Sequence, residues 1–243
     1  MKTFYLIGCA FLVLISCSQN SSDERSVSET MDQIVSRLYN DFNSAQLDTI
    51  SHDFILQSIS EEEKTILGTQ YWNFEVNVPS TVSLMRDSEQ KNIPFWLEKA
   101  GFKKSTIEVK NSQSTYEVWQ KNYEAGRVDL GINGLDKHRP VYFLSVAPQN
   151  SNDSLIITPI FPEHQHFQIL EVGSFTYHDW DGLTLTDVPE ALKGQVLLST
   201  IRGRAREAHL IDSFRKTKFP SSNMPDQILL TWSGDVSTTM DIQ

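Results

Sequence analysis

Residues 72–78 read WNFEVNV, and this stretch indicates the fold class. Successive side chains of a β-strand point to opposite faces of its sheet, so an apolar residue at every second position predicts a strand with one buried face. Pro79 and Ser80 follow directly and predict its end. The apolar positions are Trp72, Phe74, Val76 and Val78.

Further short apolar stretches follow, separated by Asn, Gly, Pro and Ser. Short strands at spacings of about 8 to 12 residues are typical of a β-sandwich. We therefore expect a mainly β fold with a β-sandwich-like module, in which residues 93–102 form a short helix or turn. The predicted strands lie within 81–86, 105–110, 114–120, 126–133, 140–148, 154–160, 167–177, 182–188 and 196–201.

Helical spacing appears on both sides of the β-rich region. Apolar residues from Met31 to about Asn43 recur at helical intervals, which predicts a short N-terminal helix. Ser60 precedes three glutamates and is typical of an N-cap with an acidic first turn. A later helix is expected within residues 205–216, and the polar, proline-containing residues 218–225 predict a linker.

The first residues are typical of an export signal. Lys2 supplies a positive charge, and Phe4 to Ile15 form an apolar run too short for a bilayer, which needs about 20 residues. The run ends in Leu14-Ile15-Ser16-Cys17, which resembles the lipobox of bacterial lipoproteins. This resemblance implies that Cys17 is lipidated and anchors the chain to a membrane of the cell envelope; the alternative is an ordinary signal peptide with an incidental cysteine.

Cysteine content and charge exclude several classes of site and partner. The chain has two cysteines, Cys9 in the apolar run and Cys17, so the folded region has no disulfide, thiolate metal site or thiol nucleophile. The formal net charge is −10, and no basic stripe with interleaved aromatic residues occurs. We therefore expect no nucleic-acid partner.

Two histidine-containing stretches are candidate metal sites. His164 and His166 would share one face of a strand and could hold a metal ion if a third ligand came from elsewhere. His178, Asp179 and Asp181 could bind a hard cation or transfer protons. The alternatives are exposed loop histidines in the first stretch and ordinary turn residues in the second.

Other polar and aromatic clusters have both a functional and a structural interpretation. Arg202, Arg204 and Arg206 could bind phosphate or carboxylate, or form a solvated surface. The stretch 131–138, with Gly131, Gly134 and His138, does not form a phosphate-binding motif. Four tryptophans could stack on a carbohydrate or build a core. They are Trp72, Trp96, Trp119 and Trp180.

Residues 225–243 read PDQILLTWSGDVSTTMDIQ. They resemble the first hairpin of the fibronectin type III-like domain that precedes the catalytic domain of purple acid phosphatases. The matching positions are Pro225, Gln227, Leu230, Thr231, Trp232, Ser233, Asp235, Thr239, Met240, Ile242 and Gln243.

The resemblance implies an exported metallophosphoesterase with a dinuclear centre of Fe with Fe, Zn or Mn in a downstream catalytic domain. The family's motifs, such as Gly-Asp-x-Gly and Gly-His-x-His, do not occur in this chain, so no catalytic residue and no metal ligand is transferred to it. We expect a truncated chain with an incomplete fibronectin type III-like hairpin, inactive by itself. The expected segments are 1–16 signal peptide, 17–30 lipidated Cys and tether, 31–67 helical, 68–217 β-rich accessory module, 218–225 linker and 226–243 phosphatase-like hairpin.

Two functions from different classes follow from the sequence. The first is an accessory region of a lipid-anchored, purple acid phosphatase-like metallophosphoesterase, whose partners are the membrane, through Cys17, and the downstream domain. The second is a surface lipoprotein whose β-sandwich binds a glycan or a peptide and performs no catalysis. A third interpretation makes His164, His166 and His178 parts of a new metal site.

Overall fold

The computed structural model describes residues 25–43, 46, 49–135, 141–163, 165–177 and 180–199. These residues form a mainly β fold, as predicted, with eleven strands in two antiparallel sheets and three helices among them. The helices are α1 (Val27–Asp41), α2 (His52–Ser58) and α3 (Glu61–Thr69). The strands are β1 (Trp72–Val76), β2 (Ser80–Asp87), β3 (Lys103–Asn111), β4 (Thr115–Tyr123), β5 (Gly126–Leu130), β6 (Phe143–Pro148), β7 (Ile157–Phe161), β8 (His166–Ile169), β9 (Phe175–Tyr177), β10 (Trp180–Asp187) and β11 (Val196–Ser199).

The first helix begins earlier than predicted. Residues 27–30, assigned from their polarity to the tether, are its first turn. Ser26 accepts a hydrogen bond from the Glu29 amide, and the Glu29 carboxylate accepts one from the Ser26 amide. This reciprocal capping box satisfies amides that a helix terminus otherwise leaves unpaired, so the helix extends through a polar stretch.

The predicted cap at Ser60 is confirmed, and it helps to join α3 to α1. Ser60 accepts from the Glu63 amide, and the Glu63 carboxylate accepts from the Ser60 amide. Both carboxylate oxygens of Glu63 also accept from Arg37 of α1, at 2.9 and 3.0 Å. Burial opposes ionisation of Glu63, but Arg37 and Ser60 hold its pKa below the usual value.

The smaller sheet has the order β5-β1-β7 and carries the strand that first indicated the fold class. Trp72, Phe74 and Val76 are buried and Glu75 is exposed, as the alternation predicts, whereas Asn73 is also buried, and its side-chain amide donates to the Asp129 carboxylate at 2.6 Å. These side chains pack in one core with the helices and with residues of the larger sheet. The two sheets therefore form the expected sandwich-like arrangement, closed on one side by the helices.

The larger sheet has the order β8-β11-β6-β2-β4-β3-β10-β9. Its central strands are buried on both faces because each face has its own core. Leu84 and Leu144 face the core shared with the smaller sheet, whereas Met85 and Phe143 belong to a second core. The register aligns these residues in rows that run across neighbouring strands.

One bent segment joins the two ends of the larger sheet. Leu170, which follows β8, exchanges backbone hydrogen bonds with residues 194 and 195, which lead into β11. Gly173 and Ser174 then pair with Leu185 of β10, at the other end of the sheet. Gly173 has φ of 96°, which favours glycine at this bend. The sheet therefore curls around the second core.

The strand positions predicted from the sequence agree with the observed strands. Each predicted strand contains or overlaps an observed one, and residues 95–101 form turns. The predicted later helix at 205–216, the linker at 218–225 and the hairpin at 226–243 lie outside the described residues, as do the signal peptide and Cys17. No helix in the described part of the chain is long and apolar enough to cross a membrane.

Candidate functional site

Exposed apolar side chains are concentrated in one stretch of the described chain, which includes β7 and β8. Eight large apolar residues among all the described residues have at least a third of their surface exposed, and six of them lie between Ile156 and Val172. Exposed apolar groups that cluster, rather than occurring singly, mark interaction sites in soluble domains. We call these six residues the apolar margin: Ile156, Ile160, Phe161, Phe167, Ile169 and Val172.

Strand register explains why β8 contributes two of these residues. Phe167 lies directly beside Leu198 of β11, and Leu198 is fully buried in the core shared with the smaller sheet. Ile169 is paired in the same way with the partly buried Val196, yet it is 54% exposed. The apolar face of the larger sheet therefore continues beyond the core that covers it.

A cleft of about 320 Å³ adjoins this exposed face. Val146 and Val196, which are paired across β6 and β11, line it together with Leu155 from the segment before β7. Lys193 contributes the cleft's basic group and forms an ion pair with Glu190. Its volume is at the lower end of the range for ligand sites, about 300 to 1,000 Å³, so it suits one or two apolar side chains rather than a large ligand.

The outer side of β8 is a sheet edge. Among the described residues β8 has β11 as its one neighbouring strand. The Gln168 side-chain amide accepts from the Phe175 amide at 3.1 Å and donates to the Phe175 carbonyl at 2.8 Å. Because Gln168 alternates with Phe167 and Ile169, this contact with β9 lies on the opposite face of β8 from the apolar margin.

The structure does not assemble the predicted histidine sites from the residues it describes. His164, His178 and Asp179 lie outside them, and the side chain of Asp181 does as well. His166 lies in β8, with its ring Nδ1 3.0 Å from the Ser199 hydroxyl. No three His, Cys, Asp or Glu side chains in the described ranges lie close enough to hold a metal ion.

The predicted glycine stretch has a packing role. A Cβ on Gly131 would lie 2.6 Å from the Leu67 carbonyl oxygen and 2.6 Å from the Gly68 Cα. The Gly131 carbonyl accepts from the buried Tyr142 hydroxyl at 2.7 Å. Gly131 is therefore explained by the close approach of α3, whereas His138 and the arginines 202, 204 and 206 lie outside the described residues.

Three of the four candidate stacking tryptophans are core residues. Trp72, Trp96 and Trp119 are each at most 4% exposed. The Trp96 indole donates to the Ile132 carbonyl, and the Trp119 indole donates to Glu117. Since their faces are covered by protein, they offer no platform for a sugar ring; the side chain of Trp180 lies outside the description.

A buried ionic cluster was not predicted from the sequence. Glu117 of β4 accepts from Arg86 of β2, from Lys104 of β3 and from the Trp119 indole. Burial opposes its ionisation, but Lys104, the Trp119 indole and Arg86 together hold its pKa below the usual value. Arg86 is 3% exposed and also donates to the Gln90 carbonyl at 2.6 Å, so this cluster ties strands and a loop together and has no access for a ligand.

No family model, curated protein or solved structure matches the chain. Functional inference therefore depends on the fold, the apolar margin and the cleft. Of the features described, the margin is the one that the packing of the domain itself does not explain.

Proposed function

We propose that this chain is an exported, lipid-anchored module of the bacterial cell envelope that holds a polypeptide partner at its apolar margin. The observation that supports it is the concentration of exposed apolar side chains along β7, β8 and their flanks. The Leu14–Cys17 pattern supports export and lipid anchoring.

A polypeptide suits this surface better than a glycan. A strand at a sheet edge can pair with an extended segment through backbone hydrogen bonds, while pockets receive alternate side chains. Among the described strands this edge is β8, where the exposed side chains of Phe167 and Ile169 would meet alternate side chains of the partner. Three of the candidate stacking tryptophans are buried, and four of the six margin residues are aliphatic and offer a sugar ring no aromatic face.

Binding arrays test this proposal. The purified chain in detergent micelles is applied to a library of immobilised extended peptides and to a glycan array. We expect saturable binding to peptides that contain apolar residues and loss of that binding in the double variant Phe167→Ser/Ile169→Thr. Ile93→Thr is the matched control, because Ile93 is a similarly exposed apolar residue that does not belong to the margin. Saturable binding to glycans without binding to peptides would contradict the proposal.

The resemblance of residues 225–243 supports a second candidate function. In this candidate the described module is the accessory region of a purple acid phosphatase-like metallophosphoesterase, and a dinuclear metal centre belongs to a downstream catalytic domain. The module would then hold or orient a polypeptide near that domain.

The DNA sequence after codon 243 tests this second candidate. An in-frame Trp codon followed later by a Gly-Asp-x-Gly motif would support it. A stop codon followed by unrelated sequence would leave the binding module as the remaining proposal.

A further inference from the structure

We infer that the partner at the apolar margin is a cationic extended segment whose apolar side chains occupy alternate positions. This inference rests on the function proposed above and specifies the chemistry of the partner. It has three physical components: the charge around the margin, the spacing of the apolar residues and the edge position of β8.

Acidic residues predominate in the stretch of chain that carries the margin, and Lys193 in the adjoining cleft is paired with Glu190. From Pro140 to Leu192 the sequence contains seven acidic residues and no lysine or arginine. Glu163 precedes β8 and Glu171 follows it; both are exposed, and neither forms a salt bridge within the described residues. A segment lying along β8 would therefore meet a carboxylate at each end of the strand, and complementary charge on that segment would be basic.

The spacing of the apolar residues fits an extended partner. Phe167 and Ile169 are two positions apart on one strand, so their side chains share a face and lie roughly 7 Å apart. A strand laid beside β8 presents its own side chains with the same period, so alternate apolar residues would continue the row formed by Val146, Val196 and Ile169. A helix would place its apolar residues at intervals of three and four instead.

The same charge argues against a membrane as the occupant. Bacterial membranes expose anionic headgroups, and a surface that binds them needs basic residues around its apolar patch. The acidic stretch from 140 to 192 would repel such headgroups. A cationic polypeptide with alternate apolar side chains would contact the apolar residues of the margin and would also be attracted to the carboxylates beside them.

Three matched heptapeptides test the inference by fluorescence anisotropy with the full chain in detergent micelles. The first is Lys-Val-Lys-Ile-Lys-Val-Lys, the second replaces every Lys by Glu, and the third has the composition of the first with its apolar residues placed consecutively. We expect the first to bind at least about tenfold more tightly than the other two, and about tenfold more weakly at 0.5 M salt than at 0.05 M.

Two double variants test whether the carboxylates of Glu163 and Glu171 are responsible for binding the lysine peptide. Glu163→Gln/Glu171→Gln removes the two flanking charges, and we expect it to weaken binding of the first peptide about tenfold. Glu98→Gln/Glu124→Gln is the matched control, because both glutamates are exposed and lie outside the margin. We expect this control to bind as the wild type does.

The results of these binding experiments can contradict the cationic partner without contradicting the proposed polypeptide-binding function. Equal binding of the lysine and glutamate peptides, unaffected by Glu163→Gln/Glu171→Gln, would overturn the cationic partner while leaving a polypeptide-binding module. Failure of all three peptides, together with blank peptide arrays, would overturn both. Protection of β8 from hydrogen exchange in anionic nanodiscs without peptide would overturn the inference in favour of a membrane surface.

Discussion

At the scale of single residues, the negative charge of Glu117 contributes to the stability of the larger sheet, because it pairs with cations from two neighbouring strands. It lies between Arg86 and Lys104 and is largely buried. We expect Glu117→Gln to lower the free energy of unfolding by about 3 kcal/mol at pH 7, because Arg86 would be left buried without a counter-charge. Urea titration of the wild type and the variant measures this difference.

The pH dependence of that difference has a definite sign. The pKa of Glu117 is depressed in the folded chain, so its contribution is fully present above the usual carboxyl pKa and is lost as the pH falls through the folded value. The difference in unfolding free energy between the wild type and Glu117→Gln should therefore become smaller as the pH falls into the acid range. Glu108→Gln is the control, because Glu108 is paired with Glu117 across the strands but its side chain is 57% exposed. An equally large effect at Glu108 would contradict the role of burial.

Gly131 is a second residue at which stability should depend on the side chain, because α3 packs too closely there for any Cβ atom. In Gly131→Ala the new methyl would lie 2.6 Å from two backbone atoms of α3 and from the Trp96 ring, so the helix must shift. We expect a loss of about 3 kcal/mol in thermal or urea unfolding. Gly68→Ala is the comparison, because its methyl would meet the Trp96 Cβ at 3.1 Å, where a smaller shift suffices. Equal stability of Gly131→Ala and the wild type would show that this close approach is not required.

At the scale of elements, the capping box at Ser60 makes a local contribution to α3. Ser60→Ala removes the hydroxyl that accepts from the Glu63 amide, and we expect a loss of about 1 kcal/mol in unfolding free energy. Ser112→Ala, at an exposed turn, should have no measurable effect. Equal stability of the two variants would mean that Glu63 is held by Arg37 alone.

The paired strands β8 and β11 should respond differently to truncation of side chains that lie diagonally to each other on the same face. Leu198→Ala creates a cavity in the main core and should cost about 3 kcal/mol. Ile169→Thr changes an exposed side chain and should change stability by less than about 0.5 kcal/mol. Urea unfolding of both variants checks the contrast. A large loss in Ile169→Thr would show that the margin is part of the core.

The elements were largely predictable because local patterns determine them. Alternation in WNFEVNV and the Asn, Gly, Pro and Ser between apolar runs identified the strands, and Ser60 identified a cap. The start of α1 was missed because Ser26 and Glu29 were taken with the polar residues around them. Their Ser-x-x-Glu spacing is the sequence pattern of a capping box and predicts this helix start.

The candidate site was less predictable because exposure depends on sheet order. Ile169 and Leu198 are both aliphatic residues in short strands, yet one is at the edge and the other in the core. Their difference follows from β8 being the last strand of the larger sheet among the described residues, and no local pattern in residues 154–177 specifies that position. The buried ionic cluster was missed for the same reason, since Arg86, Lys104 and Glu117 meet only through the pairing of three strands.

At the scale of the whole molecule, the chain should not hydrolyse phosphate esters by itself. The sequence lacks motifs such as Gly-Asp-x-Gly and Gly-His-x-His, with which purple acid phosphatases bind their metals. We expect no turnover of p-nitrophenyl phosphate with Fe, Zn or Mn added. Metal-dependent turnover that persists through purification and is absent from a mock preparation would contradict this expectation.

The order of strands in the larger sheet also affects how the chain emerges during synthesis. β8 is made before β11, its described neighbour, and residues 170–195 separate the two strands. Until β11 emerges, Phe167 and Ile169 have no paired strand on either side. The nascent chain therefore exposes the apolar side chains of β8 before their partner strand exists, and we expect chaperones that bind extended apolar segments to recognise it at this stage.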